Sequence, residues 1–214
     1  MKTFAVSSEK TAVFFDMDCT LYTHEEYAQS QIDLPVMRLA QMQGKSFEQM
    51  KSEVAGYRKT WADAHNGKAV SLGNIFLSFG ISIKDMVRMR EELYRPEDYL
   101  AEDKRLRYAL TRLALRYKPA VVTNNPVSVA VRTLSILGVY DIIGIIVGLD
   151  TCYLSKPDKE IFLKAAQLCN VSPKQCISVG DRFDIDIAVP LELGMGGVLV
   201  DGVEDVYSLP DILL

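Results

Sequence analysis

The first apolar run of the chain, Ala12-Val13-Phe14-Phe15, ends abruptly on Asp16-Met17-Asp18-Cys19-Thr20-Leu21-Tyr22. A short apolar run bounded by polar residues predicts a buried strand. Two carboxylates one residue apart at the end of a core strand are costly unless a cation pairs them. From Thr23 to Arg95 the pattern changes to a stretch rich in Met, Gln, Glu, Lys and Arg, without strand periodicity. Leu34, Met37, Leu39 and Met42 recur at helical spacing, and Gly44 is placed to end that helix. Ser46 with Gln49 forms a capping-box pattern that opens a helix through about His65, which Asn66-Gly67 breaks. A short helix over Leu72 to Phe79 precedes Gly80, and Ser82 with Asp85 opens another that reaches Tyr94 before Pro96. The block reads as four or five helices.

From Asp98 onward apolar strands and helices alternate. Leu106, Leu110, Leu113 and Leu115, with Tyr117, mark a helix that Pro119 terminates. Ala120 to Thr123 is a strand, Val127 to Leu137 a helix closed by Gly138, and Ile142 to Leu149 contains the next apolar run. Ser155-Lys156-Pro157-Asp158 precedes a helix from about Lys159 to Cys169; Cys176 to Val179 is a strand ending on Gly180-Asp181. A helix through Leu193 and a strand at Val198 to Val200 follow. Such alternation predicts an α/β fold, a doubly wound parallel sheet with helices on both faces. The opening strand joins that sheet. Residues 1–22 and 97–214 then form the core, and residues 23–96 a helical cap inserted after the first strand.

Composition narrows the class. At 214 residues, with 49% hydrophobic and 24% charged residues, the chain can bury an ordinary core without disulfides or structural metal. A net charge of -4 argues against a nucleic-acid polymer as partner. The four cysteines contain no CxxC pair and there are two histidines, which fits a reducing cytoplasm better than a disulfide framework or a zinc site. The first residues lack the apolar run of a signal peptide, and no apolar stretch approaches the roughly 18 residues of a membrane span. A cytoplasmic location without membrane contact is therefore expected.

In a doubly wound sheet the carboxyl ends of parallel strands line one edge, where ligands bind. That edge would gather Asp16 and Asp18, Thr123 and Asn124, Lys156, and Asp181 with Asp184 and Asp186. Adjacent carboxylates repel, and a hard cation with oxygen ligands resolves this; Mg²⁺ suits such a set. A metal, a lysine and a hydroxyl together can neutralise a phosphoryl dianion.

Asp16-Met17-Asp18-Cys19-Thr20, Thr123, Lys156 and Gly180-Asp181 with Asp186 resemble, in order and spacing, the four motifs of the haloacid dehalogenase-like hydrolase superfamily. The resemblance implies Asp16 as the nucleophile that forms an aspartyl-phosphate, and Asp18 as general acid and then base. It implies Thr123, Lys156 and the backbone around Asn124 as the phosphoryl site. Mg²⁺ would be held by Asp16, the backbone carbonyl of Asp18, and Asp181, with Asp186 in support; Asp184 falls outside that spacing. The carboxylate at Asp18 points to phosphoryl chemistry, because haloacid dehalogenases themselves lack it. The helical block resembles an alpha-helical cap.

Several of these positions also have plain structural readings. Asp184 reads equally as a helix N-cap, Asn125 and Pro126 as turn residues, and Tyr22 and His24 as hinge or surface residues. Arg58, Trp61 and His65 share one helix, where packing and solvation are expected. Cys19 reads as a small buried residue rather than a reactive thiol, and Met37, Met42, Met50, Met86 and Met89 as an adaptable core. The expected ligand is a small phosphorylated metabolite, acted on by a monomer or homodimer. Asp-Met-Asp-Cys-Thr-Leu-Tyr with Thr123-Asn124 looks similar to the pyrimidine 5′-nucleotidase-like branch, which implies a nucleoside monophosphate. A phosphoglycolate or sugar phosphatase is the alternative, ahead of a phosphomutase or a non-catalytic binding protein.

Overall fold

The computed structural model describes residues 1–214. Six strands form one sheet: β1 (Lys2–Phe4), β2 (Ala12–Phe15), β3 (Lys118–Val122), β4 (Ile145–Val147), β5 (Cys176–Gly180) and β6 (Gly196–Leu199), in the order β1-β6-β5-β2-β3-β4. All pairings are parallel except β1 with β6. β2 sits with β3 on one side and β5 on the other, so the order in which strands are added across the sheet reverses at β2. That is the switch point where doubly wound sheets bind ligands.

Side-chain alternation explains why β2 is apolar throughout. Val13 and Phe15 point into one core with Val121, Ile177, Val179 and Val198. Ala12 and Phe14 point into a second core, on the opposite face, with Ala120, Val122 and Cys176. A strand covered on both faces has no solvent side to make polar. The first core is closed by α5 (Lys104–Ala114) and α6 (Val127–Ile136), the second by α8 (Lys159–Leu168).

Four helices lie between β2 and α5 in sequence: α1 (Glu25–Met42), α2 (Phe47–Ala64), α3 (Leu72–Ser78) and α4 (Ile83–Leu93). The Ser46–Gln49 capping box forms as the sequence predicts, each residue satisfying the other's backbone N–H. These helices share a third apolar cluster, which includes Met50, Met86 and Met89 and receives Leu149 from α7 (Leu149–Cys152). Met37 and Met42 are exposed instead, because the buried stripe of α1 runs through Val36, Leu39 and Ala40.

The remaining elements correct the sequence reading in detail. Leu115 is exposed: α5 ends at Ala114, and its stripe is Leu106, Leu110 and Leu113, continued by buried Tyr117. Pro119 belongs to β3, where β4 pairs only from Ala120 onward, so its missing N–H faces no partner strand. After β5 the expected regular helix is replaced by a wide π-helical turn over Phe183–Ile187, followed by α9 (Ala188–Glu192). The short edge strand β1 and the C-terminal helices α10 (Val203–Ser208) and α11 (Pro210–Leu213) carry too few residues for a period to show. All four cysteines are free, and no helix is long and apolar enough to cross a membrane.

Because Phe14 is fully buried in the middle strand, Phe14→Ala is expected to cost about 3–5 kcal/mol, read as a lower midpoint in chemical denaturation. A loss below about 1 kcal/mol would contradict the packing described.

Candidate active site

Asp16 leaves β2 one residue after the Phe15–Val121 and Phe15–Val179 pairs, so it stands at the sheet edge between β3 and β5. Lys156 Nζ donates to Asp16 Oδ1 at 2.7 Å and to Asp186 Oδ1 at 2.6 Å, with the lysine and both carboxylates all buried. Burial alone would lower the lysine pKa, but the two carboxylates outweigh it and raise it, so the ammonium stays charged. Asp186 Oδ2 accepts the Arg182 backbone N–H at 3.1 Å. The π-helical turn is what brings Asp186 back onto the strand end; such turns recur at functional sites. Gly180 makes room for it, since a Cβ there would sit 2.4 Å from the Asp186 Cβ.

Asp16, Asp181 and Asp186 offer oxygens that lie within 4.8 Å of one another. Asp181 Oδ1 is buried without a hydrogen-bond partner, its nearest cation being Arg182 Nε at 3.8 Å. Burial, then Asp16, pushes the Asp181 pKa up to about 7. An orphaned carboxylate oxygen inside an all-oxygen acidic cluster fits a hard divalent cation. Asp186 already uses both oxygens in protein hydrogen bonds, so Asp16 and Asp181 are the more open donors.

The Asp18 carboxylate is not one of the three that converge. Its Oδ1 accepts from the Tyr22 hydroxyl and from Gln31 Nε2 at 3.0 Å, and its Oδ2 accepts from Asn125 Nδ2 at 2.7 Å. Burial and then Asp16 raise its pKa, against the opposing pull of the Tyr22 and Gln31 hydrogen bonds.

Thr123 is buried at the end of β3, and its Oγ1 accepts the Asn125 N–H at 3.1 Å, which leaves its own proton to donate. The Asn124 side chain brackets the Lys156 peptide, accepting its N–H at 2.6 Å. Asp184 neither caps a helix nor joins the cluster; its Oδ2 accepts the Ala69 N–H from the α2–α3 connection, at 3.1 Å. His24 caps α1, and Trp61 stacks on His65. Cys19 holds a left-handed backbone at φ 57°, which costs a non-glycine residue about 1 kcal/mol. Burial pushes its thiol up to about 11, so it is no nucleophile.

Tyr22 and Asn125, read from sequence as hinge or surface and as turn residues, are instead buried against Asp18, and Gln31, Arg90 and Arg182 are site residues that the sequence reading passed over. Arg90 had a signal: it sits three and four residues after Val87 and Met86, inside the apolar stripe of α4. Gln31 had none. Asp18, Asn124, Asn125, Asp181, Arg90 and Arg182 border a cavity of about 240 Å³ between the sheet edge and the helical block.

The sequence pattern of the haloacid dehalogenase-like hydrolases matches residues 10–194, and the chain belongs to that family. A phosphoglycolate phosphatase from Psychrobacter arcticus is 32% identical over 71 residues, which are 33% of this chain and 31% of that protein. The chain thus matches less than a third of that relative's length. Among solved structures, a HAD phosphatase from Thermococcus onnurineus superposes with a TM-score of 0.65 at 21% identity, over 95% of this chain and 97% of that one. A predicted phosphoglycolate phosphatase from Haemophilus somnus 129PT gives 0.60 at 18% identity, over 97% and 100%. Both share the fold.

Two expectations follow. Gly180→Ala should cost about 1–3 kcal/mol and weaken divalent-cation binding, because the added methyl displaces Asp186; titration calorimetry showing unchanged cation affinity would contradict it. Asp181 binds its proton more tightly in the folded chain than in the unfolded one, whose carboxylates titrate near about 3.9. Its stabilising contribution is therefore full at low pH and is lost as pH rises towards about 7. A cation needs the ionised form. The rise in Tm on adding a divalent cation should be larger at about pH 8 than at about pH 5.5; equal rises would refute this.

Proposed function

We propose that the protein is a Mg²⁺-dependent phosphomonoesterase that works through an aspartyl-phosphate on Asp16. The observation that carries this reading is the single buried ammonium of Lys156 held between Asp16 and Asp186 beside the orphaned Asp181 oxygen. A pocket that concentrates cations around one strand-end carboxylate is suited to a dianionic phosphoryl group. Asp16 and Asp181, with Asp186 beside them, would hold Mg²⁺, which would supply charge neutralisation at the phosphoryl oxygens.

In this reading Lys156 fixes Asp16 through Oδ1, and Oδ2 attacks phosphorus in line with the leaving oxygen. The P–O bond to the leaving group breaks as Asp18 passes its proton to that oxygen. Asp18, now ionised, takes a proton from water, whose oxygen attacks phosphorus and frees the Asp16 carboxylate and phosphate. Thr123 donates to a phosphoryl oxygen, and the Asn124 side chain holds Lys156 by its backbone. The helical block acts as a cap over the cavity, excluding water from the first step.

The short cavity favours a small substrate: about 240 Å³ lies below the roughly 300–1,000 Å³ of drug-sized ligand sites. A phosphoglycolate-sized ester fits that room, and the partial similarity to a phosphoglycolate phosphatase supports it. The nucleoside monophosphate expected from the first-motif resemblance is larger and needs the cap to open.

A panel of phosphoglycolate, hexose phosphates and nucleoside monophosphates with Mg²⁺ tests the reading by release of inorganic phosphate. Asp16→Asn should lower kcat by about 10³-fold or more, and Asp18→Asn by about 10²–10⁴-fold. Phosphate release that survives Asp16→Asn at the wild-type rate would overturn the mechanism.

A further inference from the structure

Four charged side chains border the cavity: Asp18, Asp181, Arg182 and Arg90. Arg182 already faces an acid, with Nε 3.8 Å from Asp181 Oδ1. Arg90 does not. It is 8% exposed, forms no ion pair, and bonds only through Nη1, to the Asn124 carbonyl and to Asn125 Oδ1 at 3.5 Å. Neither its Nε nor its Nη2 has a protein partner, and neither is among the buried atoms closed off from any partner. A guanidinium at a cavity wall with two unpaired N–H groups and no ion pair is suited to a bound anion. Its free edge, Nε with Nη2, is the side of the fork that takes a carboxylate in two parallel hydrogen bonds.

The position of that edge identifies which part of a ligand would meet it. Arg90 bonds to Asn125 Oδ1, which turns Asn125 Nδ2 towards Asp18 Oδ2. Asp18 is the group assigned to protonate the leaving oxygen, so Arg90, joined to it through Asn125, stands on the leaving-group side. We propose that Arg90 binds a carboxylate on the leaving group, which makes the substrate class a short phosphorylated carboxylic acid. The proposal rests on the phosphomonoesterase reading and adds to it the residue that selects the substrate. A plain strut between α4 and the β3–α6 loop would need only Nη1. It would give no reason for the other edge to stay unpaired at the cavity.

The test compares kcat/KM for phosphoglycolate, ethyl phosphate and ethylene glycol bisphosphate, with Mg²⁺, in the wild-type protein, Arg90→Lys and Arg90→Met. The wild type should prefer phosphoglycolate to ethyl phosphate by about 10–100-fold, mostly through KM, as expected of charge-assisted hydrogen bonds. In Arg90→Met the ratio should fall to near one, and Arg90→Lys, with charge but no fork, should lie between. Equal losses for both esters in Arg90→Met would mean a strut and overturn the proposal. So would a wild-type ratio near one, or a stronger preference for the bisphosphate, while the phosphomonoesterase reading stands. Failure of the wild type to hydrolyse any of the three esters would overturn the carboxylate proposal alone; the phosphomonoesterase reading falls with it only when hexose phosphates and nucleoside monophosphates also release no phosphate. If Arg90→Met fails to fold by circular dichroism, the ratio in Arg90→Lys decides: an unchanged wild-type preference overturns the proposal.

Discussion

The structure depends on one ammonium group. Lys156 Nζ lies between Asp16 and Asp186, and all three side chains are out of water. Without it, two carboxylates separated by a few ångströms in a low-dielectric pocket would repel by several kcal/mol, and the strand ends could not close on each other. With it, the Asp16 carboxylate is fixed through Oδ1 and left with Oδ2. Much of the nearby backbone serves that contact. Asn124 grips the Lys156 peptide, Gly180 clears space for Asp186, and the π-helical turn bends Asp186 back towards β5.

A second set of contacts ties the helical insert to the chemistry. Asp18 is one residue beyond Met17 yet belongs to a different neighbourhood from Asp16, held by Tyr22 just before the insert, by Gln31 inside it and by Asn125 from the β3–α6 loop. The Tyr94 hydroxyl donates to the Gln31 carbonyl, so the far end of the insert buttresses the same network. Asp184 reaches the insert from the other side through Ala69. Two carboxylates of one motif are thereby given different environments: one beside a fixed cation, the other in a shell of neutral donors. Separating environments in this way is how adjacent acids take different roles.

Much of this was legible in the sequence because strands covered on both faces and motifs at strand ends leave strong local patterns. β2, β3 and β5, the Ser46–Gln49 cap, and the convergence of Asp16, Lys156, Asp181 and Asp186 on one edge all follow from such patterns. What was not legible depends on geometry between distant segments. Gln31 looks like any polar residue of a surface helix until α1 is laid against the strand end. Asn125 reads as a turn residue because its partner, Asp18, is 107 positions away. The π-helical turn has no sequence period distinct from that of a helix, and Met37 and Met42 required knowing which stripe of α1 is buried.

The central claim is that Asp16 becomes covalently phosphorylated, and trapping is its most direct measurement. The protein is mixed with Mg²⁺ and a turned-over phosphomonoester, quenched in acid within one turnover, digested and sequenced by mass spectrometry. The account predicts one phosphoryl group on the peptide containing Asp16, absent from protein quenched before substrate is added. Full turnover with no such adduct at any quench time, or a phosphoryl group on another residue, would contradict it.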